Sequence, residues 1–328
     1  MGQVTESQFR PAWWARGPHL QTLWPSLFRR RSELNLQRHR LELPDGDFLD
    51  LAFGEGRGPT VLVLHGLEGD LQSHYAGGML EALHRAGFRP VFMFLRGRSG
   101  EPNRLPRGYH SGAREDLAAV LEHLAAGPGG PALAAIGFSL GGNLLLKYLG
   151  ERSQPLLSAG VAVSVPFVLR DAMLRLDRGF SRLYQRHLLQ RLKATYRVKL
   201  SRLPPGLRVD LKAIRDFFDY DDRVTAPLNG FAGAEDYYAR CSCRPFLPRI
   251  GTPTLILHSQ DDPFMFPRTV PQAGELGPGV TLELARRGGH VGFLAGALPW
   301  RPEYWLETRI VGFLRDRAGD RLPAGSGR

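Results

Sequence analysis

Short apolar runs alternate with longer amphipathic stretches along most of this chain. Residues 60–64, 90–95, 133–136, 159–165, 252–257 and 280–284 are brief runs dominated by Val, Leu, Ile, Phe and Ala. That is the pattern of parallel strands covered on both faces. Between them, residues 75–86 and 112–126 place apolar side chains at helical spacing, with Gly87 positioned to cap the first helix. Residues 36–43 and 48–53, joined across Pro44-Asp45-Gly46-Asp47, read as an antiparallel hairpin. A helix over about 304–317 closes the pattern. Strands alternating with helices at this spacing predict an α/β fold with a mostly parallel sheet flanked by helices.

The alternation breaks after Pro166. Residues 169–200 read as mostly helix and 211–218 as another short one, before the strand pattern resumes at 252. The expected organisation is therefore a core of residues 36–165 and 246–320, interrupted by a helical cap at 166–245. Residues 1–35 read as irregular. With Trp13, Trp14 and Trp24 they are too aromatic for a free tail and are expected to pack on the core. Residues 321–328 read as a loose tail, and no internal repeat is present.

Charge sharpens the picture of the cap. Residues 165–215 hold 13 Lys plus Arg against three Asp, a surplus of +10 in a chain whose net charge is +11. Such a segment is either a solvated helical face or a surface that attracts anions, including phospholipid head groups. It carries no nucleic-acid-binding motif, so no nucleic-acid partner is expected. No uninterrupted apolar run reaches the length of a membrane span. Residues 1–10 lack the apolar segment of a signal peptide, and Glu6 stands where a myristoylation site needs Ser or Thr. Cys241 and Cys243 are too close in sequence for an ordinary disulfide and have no companion ligands, so they read as thiols of a reducing cytoplasm.

The chemistry centres on Gly137-Phe138-Ser139-Leu140-Gly141. A G-x-S-x-G alone is weak evidence. Here it stands between an apolar strand and the leucine-rich run 144–149, the setting of a nucleophile elbow. Gly137 and Gly141 are expected to clear room for a strained serine. A serine hydroxyl needs a base, and the base needs an orienting acid. Two later loops supply both, each directly after an expected strand: 258–264, with Asp261 and Asp262, and 287–293, with His290. His290 is the expected base and Asp262 is favoured over Asp261 as the acid. The loop His65-Gly66-Leu67-Glu68-Gly69 would complete an oxyanion hole, with the backbone N–H groups of Leu67 and Leu140 as donors and His65 bracing the turn. No metal-ligand spacing or dinucleotide fingerprint appears, so no cofactor and no metal are expected.

Several segments together resemble the YheT-like branch of the α/β-hydrolases, related to membrane-associated α/β-hydrolase-domain lipases of animals. They are Pro18-His19-Leu20-Gln21-Thr22, residues 64–69, Arg96-Gly97 with Ser99-Gly100-Glu101-Pro102-Asn103, Tyr109-His110-Ser111-Gly112, residues 137–143, Asp261-Asp262-Pro263-Phe264 and residues 289–293. The resemblance implies an α/β-hydrolase fold and a serine hydrolase acting on carboxylic esters, of short-chain esterase or monoacylglycerol lipase type. It also implies Ser139, Asp262 and His290 as the triad. The expected partner is a small-molecule or lipid ester. The Leu, Phe and Tyr residues of the cap suggest a medium or long acyl chain. Three rival readings stay open: an acyltransferase using the same triad, a silent binding protein on a hydrolase scaffold, and a peripheral module that docks on anionic membrane through the basic cap. Oligomeric state is not legible in the sequence.

Overall fold

The computed structural model describes residues 1–30, 32 and 34–322. Strand β1 (Gln3–Glu6) and helix α1 (Pro18–Phe28) open the chain. The hairpin β2 (Leu36–Glu42) and β3 (Phe48–Gly54) follows, then β4 (Thr60–Leu64), α2 (Ala76–Arg85), β5 (Arg89–Met93) and α3 (Arg114–Ala126). Next come β6 (Ala134–Phe138), α4 (Leu140–Glu151) and β7 (Ala159–Val163). Five helices lie between β7 and the next strand: α5 (Leu169–Leu176), α6 (Ser181–Lys199), α7 (Phe217–Tyr220), α8 (Ala226–Leu228) and α9 (Ala234–Cys241). The chain ends with β8 (Thr254–Ser259), β9 (Val280–Ala285), β10 (Leu294–Leu298), β11 (Arg301–Tyr304) and α10 (Trp305–Ala318).

Nine strands form one sheet in the order β1-β9-β8-β7-β6-β4-β5-β3-β2. Every pairing from β1 to β5 is parallel; only β5–β3 and β3–β2 are antiparallel. The central strands β4, β6, β7 and β8 are buried along their whole length, which is why they read as unbroken apolar runs. Separate apolar clusters cover the two faces. One is built around Leu62, Leu64, Leu144 and Ile256, the other around Val61, Val63, Ile136 and Ile310. Successive side chains of one strand point to opposite faces, so Leu62 and Val63 serve different cores.

Two sequence expectations are corrected. Residues 1–35 are not irregular, because β1 extends the sheet beside β9 and α1 packs beneath the loop that follows β9. The apolar spacing of 211–218 does not make a helix. The Asp216 side chain accepts the Asp219 N–H at 2.9 Å and starts α7 there, which then runs through a π turn, Asp221–Thr225. Helix α9 and the hairpin β10–β11 were not anticipated. Gly150 lies inside α4, one residue before its end, and a side chain there would run into Phe246. Of the expected loose tail, Arg321 closes a short 3-10 turn, and residues 323–328 lie outside the described residues.

The helices between β7 and β8 enclose a small core of their own, including Leu176, Leu192, Tyr196, Phe217 and Val224. Leu23, Leu67 and Phe264 pack against it from the sheet side. This insertion therefore roofs the edge of the sheet where β4, β6, β8 and β9 end.

Candidate active site

Ser139 joins β6 to α4 at φ 51° and ψ −114°, a conformation that residues with side chains rarely adopt. The flanking glycines make the turn possible. A methyl group on Gly137 would collide with the Gly141 carbonyl. One on Gly141 would lie 2.6 Å from the His65 carbonyl oxygen and 2.8 Å from that of Leu64. The turn presents the Ser139 hydroxyl at the N-terminal end of α4, where backbone N–H groups are left without helical partners.

Asp262 and His290 arrive from the loops after β8 and β9. The Nδ1–H of His290 donates to Asp262 Oδ2 at 2.8 Å, and the Ser139 hydroxyl donates to Nε2 at 3.0 Å. A carboxylate only accepts, so the contact with Asp262 keeps a proton on Nδ1. Asp262 and His290 are both buried. The Phe264 ring lies flat on the imidazole, centroids 4.0 Å apart and planes 5° from parallel, which fixes the ring plane.

Asp261 takes a different position. Its Oδ1 accepts the N–H of Gly289, so it braces the loop and does not touch the imidazole. Burial pushes its carboxyl above the ordinary aspartate range. The two adjacent carboxyls are thereby separated in role.

His65 is a brace. It is fully buried, donates from Nδ1 to the Gly66 carbonyl at 2.7 Å, and accepts the Leu95 N–H on Nε2 at 3.0 Å. Burial pushes it down to about 4, so the ring is neutral. The Tyr75 hydroxyl accepts the Gly66 N–H at 2.8 Å, and the Tyr75 ring stacks on Phe138 next to Ser139. Leu67 and Leu140 face the same cavity as Ser139. Among the described residues neither backbone N–H has a hydrogen-bond acceptor, which leaves both donors free for an incoming oxygen.

That cavity measures about 1110 Å³, its open mouth included. Its walls are mainly apolar side chains of the inserted helices, among them Leu169, Met173, Leu176, Leu188, Leu192 and Leu228.

Profile and structure comparisons agree with the fold. The sequence model described as "alpha/beta hydrolase fold" matches residues 59–297. The chain belongs to the α/β-hydrolase family. This α/β hydrolase is 46% identical to YheT of Escherichia coli (strain K12), provisionally named an esterase, over 90% of this chain and 89% of that one. It is 31% identical to the phospholipase ABHD3 of Mus musculus, over 92% of this chain and 76% of that one. Among solved structures, the Pyrococcus furiosus esterase Pf2001 superposes with a TM-score of 0.58 at 18% identity, covering 89% of this chain and 99% of the other, a likeness of fold.

Some residues of this α/β hydrolase that shape the site had no role assigned from sequence. Gln21 and Thr22 of α1 grip the loop that carries His290. Thr22 Oγ1 accepts the His290 N–H at 2.9 Å, and Gln21 Oε1 accepts the Leu294 N–H at 2.6 Å. Gly289, at φ 60°, and Gly292 let that loop lie directly against α1. Asn143 donates to the Ser111 and Cys241 carbonyls and accepts the Cys243 N–H, tying α4 to the end of the insertion. Arg96 is saturated by Asp45, Asp47 and Asp116, so it holds the fold beside the cavity and is not a free anion site. The signal for most of these was present as short motifs, but a motif does not name the partner that a side chain reaches.

Proposed function

We propose that this protein is a serine hydrolase that cleaves carboxylic esters through an acyl-enzyme. The observation that carries the reading is the unbroken contact chain Asp262–His290–Ser139 opening into a mostly apolar cavity. Ser139 Oγ attacks the ester carbonyl carbon while its proton passes to His290 Nε2. Asp262 holds the imidazole by Nδ1–H and stabilises the cation that forms. The Leu67 and Leu140 N–H groups receive the developing oxyanion, at the positive end of α4. His290 then protonates the departing alkoxide. Water, deprotonated by the same nitrogen, releases the acid and restores Ser139.

The apolar walls suit a lipid-like acyl chain, and similarity to a phospholipase and to a monoacylglycerol lipase supports the same class, monoacylglycerols included. The outer face of the insertion favours peripheral contact with anionic lipid. Phe180 and Leu183 are exposed there beside Arg178, Arg182 and Arg186. The free thiols of Cys241 and Cys243, both buried, fit a cytoplasmic location.

A fluorophosphonate probe tests the core of this reading. Labelling of the wild type, abolished in Ser139→Ala and in His290→Ala, is the expected result. Labelling that persists in Ser139→Ala would sink it. Product analysis with added acceptor alcohols separates hydrolysis from acyl transfer.

A further inference from the structure

Glu68 follows the proposed donor Leu67 and is one of five non-glycine residues at positive φ among the described residues, at 55°. Four of its polar groups are pinned. Its N–H donates to the Tyr109 hydroxyl at 2.8 Å, and that hydroxyl donates back to Oε1 at 2.8 Å. Its carbonyl oxygen accepts from Arg98 Nη2 at 2.8 Å and from Arg191 Nη2 at 2.7 Å. Its Oε2 accepts from the Thr195 hydroxyl at 2.7 Å and pairs with Arg98 Nη1 at 2.9 Å. Arg98 Nη1 also donates to Thr195 Oγ1 at 2.8 Å, closing a ring of contacts. The Glu68 side chain is buried.

Two of these partners come from the inserted helix α6. Arg191 and Thr195 are four residues apart, so they lie on one face of that helix, and both reach Glu68, Arg191 at its carbonyl oxygen and Thr195 at its carboxylate. The rest of the oxyanion loop is held from the sheet domain, by His65 and Tyr75. Glu68, the residue after the proposed donor, is therefore clamped from both sides, by Tyr109 from the sheet domain and by α6 as the upper jaw.

We propose that Glu68 is a positioning residue through which Arg191 and Thr195 of the inserted helix set the orientation of the Leu67 N–H. This rests on the acyl-enzyme reading above. An oxyanion donor works by being aimed before charge develops, so a loosened loop weakens transition-state stabilisation more than substrate binding. The roof over the site then does more than shape the cavity. It completes the electrostatics beneath it.

The test uses the full chain as wild type, Thr195→Val, Thr195→Ser and Arg191→Gln. For each, kcat and KM are measured on a p-nitrophenyl ester, together with inhibition by a trifluoromethyl ketone that forms a tetrahedral oxyanion adduct with serine. Thr195→Val and Arg191→Gln are expected to lower kcat about 10-fold and to weaken the ketone by a similar factor, with KM within about 2-fold. Thr195→Ser, which keeps the hydroxyl, restores both. Wild-type kcat in the two deleting variants, or a loss confined to KM, overturns the proposal. Arg191 is 41% exposed, so its replacement keeps the fold if Thr195→Val does not. A wild type that hydrolyses no ester fails the underlying reading before any variant is compared, and overturns the proposal with it.

Discussion

The hydroxyl of Thr22 accepts the backbone N–H of His290 at 2.9 Å, although the two residues are 268 positions apart. The same hydroxyl donates to the Pro18 carbonyl one turn back in α1, so its direction is fixed. An N-terminal helix thus sets the height of the loop that carries the proposed base. Thr22→Val keeps the shape and removes the acceptor. It should lower kcat/KM about 10- to 100-fold, because a misplacement near 1 Å at the reacting groups costs that much. Thr22→Ser should retain most of the activity. Steady-state kinetics on the pair checks this, and equal activity of the two variants would count against it.

The split between Asp261 and Asp262 predicts unequal consequences for one chemical change. Asp262→Asn removes the carboxylate that selects the His290 tautomer and should reduce kcat by about 10³- to 10⁴-fold. Asp261→Asn keeps an acceptor for the Gly289 N–H and removes a charge that burial disfavours. Its activity should stay within about 10-fold of wild type. Comparable losses from both substitutions would overturn the assignment.

The elbow glycines should be intolerant for steric reasons alone. Gly141→Ala places a methyl 2.6 Å from a carbonyl oxygen and should cost about 2–4 kcal/mol of stability. Gly312→Ala, in open space on α10, should be neutral or stabilising by up to about 1 kcal/mol. Urea denaturation of both variants measures the difference.

Three buried histidines predict how stability follows pH. Burial holds His65 and His258 at about 4 and His110 at about 3, against about 6.5 in an unfolded chain. Between these values the unfolded chain binds more protons than the folded one, so stability falls as pH drops through the window. Each histidine contributes a slope of up to about 1.4 kcal/mol per pH unit. Asp221, raised to about 6 by burial, acts in the opposite sense below pH 6, as do Asp116, Asp261 and Glu307, whose carboxyls burial also raises, while His74, pushed down to about 3, adds to the histidine side. The urea midpoint should therefore be lower at pH 5 than at pH 7.5. His258→Leu should flatten the dependence, because both ring nitrogens of His258 lack partners among the described residues. An unchanged or higher midpoint at pH 5 would refute the prediction.

The basic outer face of α6 and of the turn before it predicts salt-sensitive binding to vesicles. Sedimentation with phosphatidylserine-containing vesicles should be strong at low ionic strength and weak at high. The triple variant Arg178→Glu, Arg182→Glu, Arg186→Glu should lose it, at about 1 kcal/mol per charge removed. Ser139→Ala should bind like the wild type. Binding that ignores both salt and the triple variant would exclude this surface.

Much of the sheet was legible because β4, β6, β7 and β8 are buried on both faces, and such strands must be apolar throughout. The edge elements were not. Strand β1 is almost wholly exposed, with a burial pattern that carries no periodic signal, and it exists because β9 offers it a parallel partner. Helix α1 begins with Pro18 and contains Pro25, which obscures its helical pattern. In the candidate site, Ser139, Asp262 and His290 stood out because chain order and strand ends are local properties. Gln21, Thr22, Glu68, Arg98 and Asn143 did not, because their work lies in contacts with residues far away in the chain.

Sequence alone determined the alternation of strand and helix, the glycines that permit a strained serine, and the order in which the proposed nucleophile, acid and base appear. These follow from local backbone sterics and from the periodicity of burial. Only the tertiary structure decided which aspartate reaches His290, that an N-terminal helix supports its loop, and that the basic insertion clamps Glu68. Those outcomes depend on which distant groups come within about 3 Å of each other, the range over which hydrogen bonds act. No pattern along one chain specifies that distance until the sheet has brought its loops together.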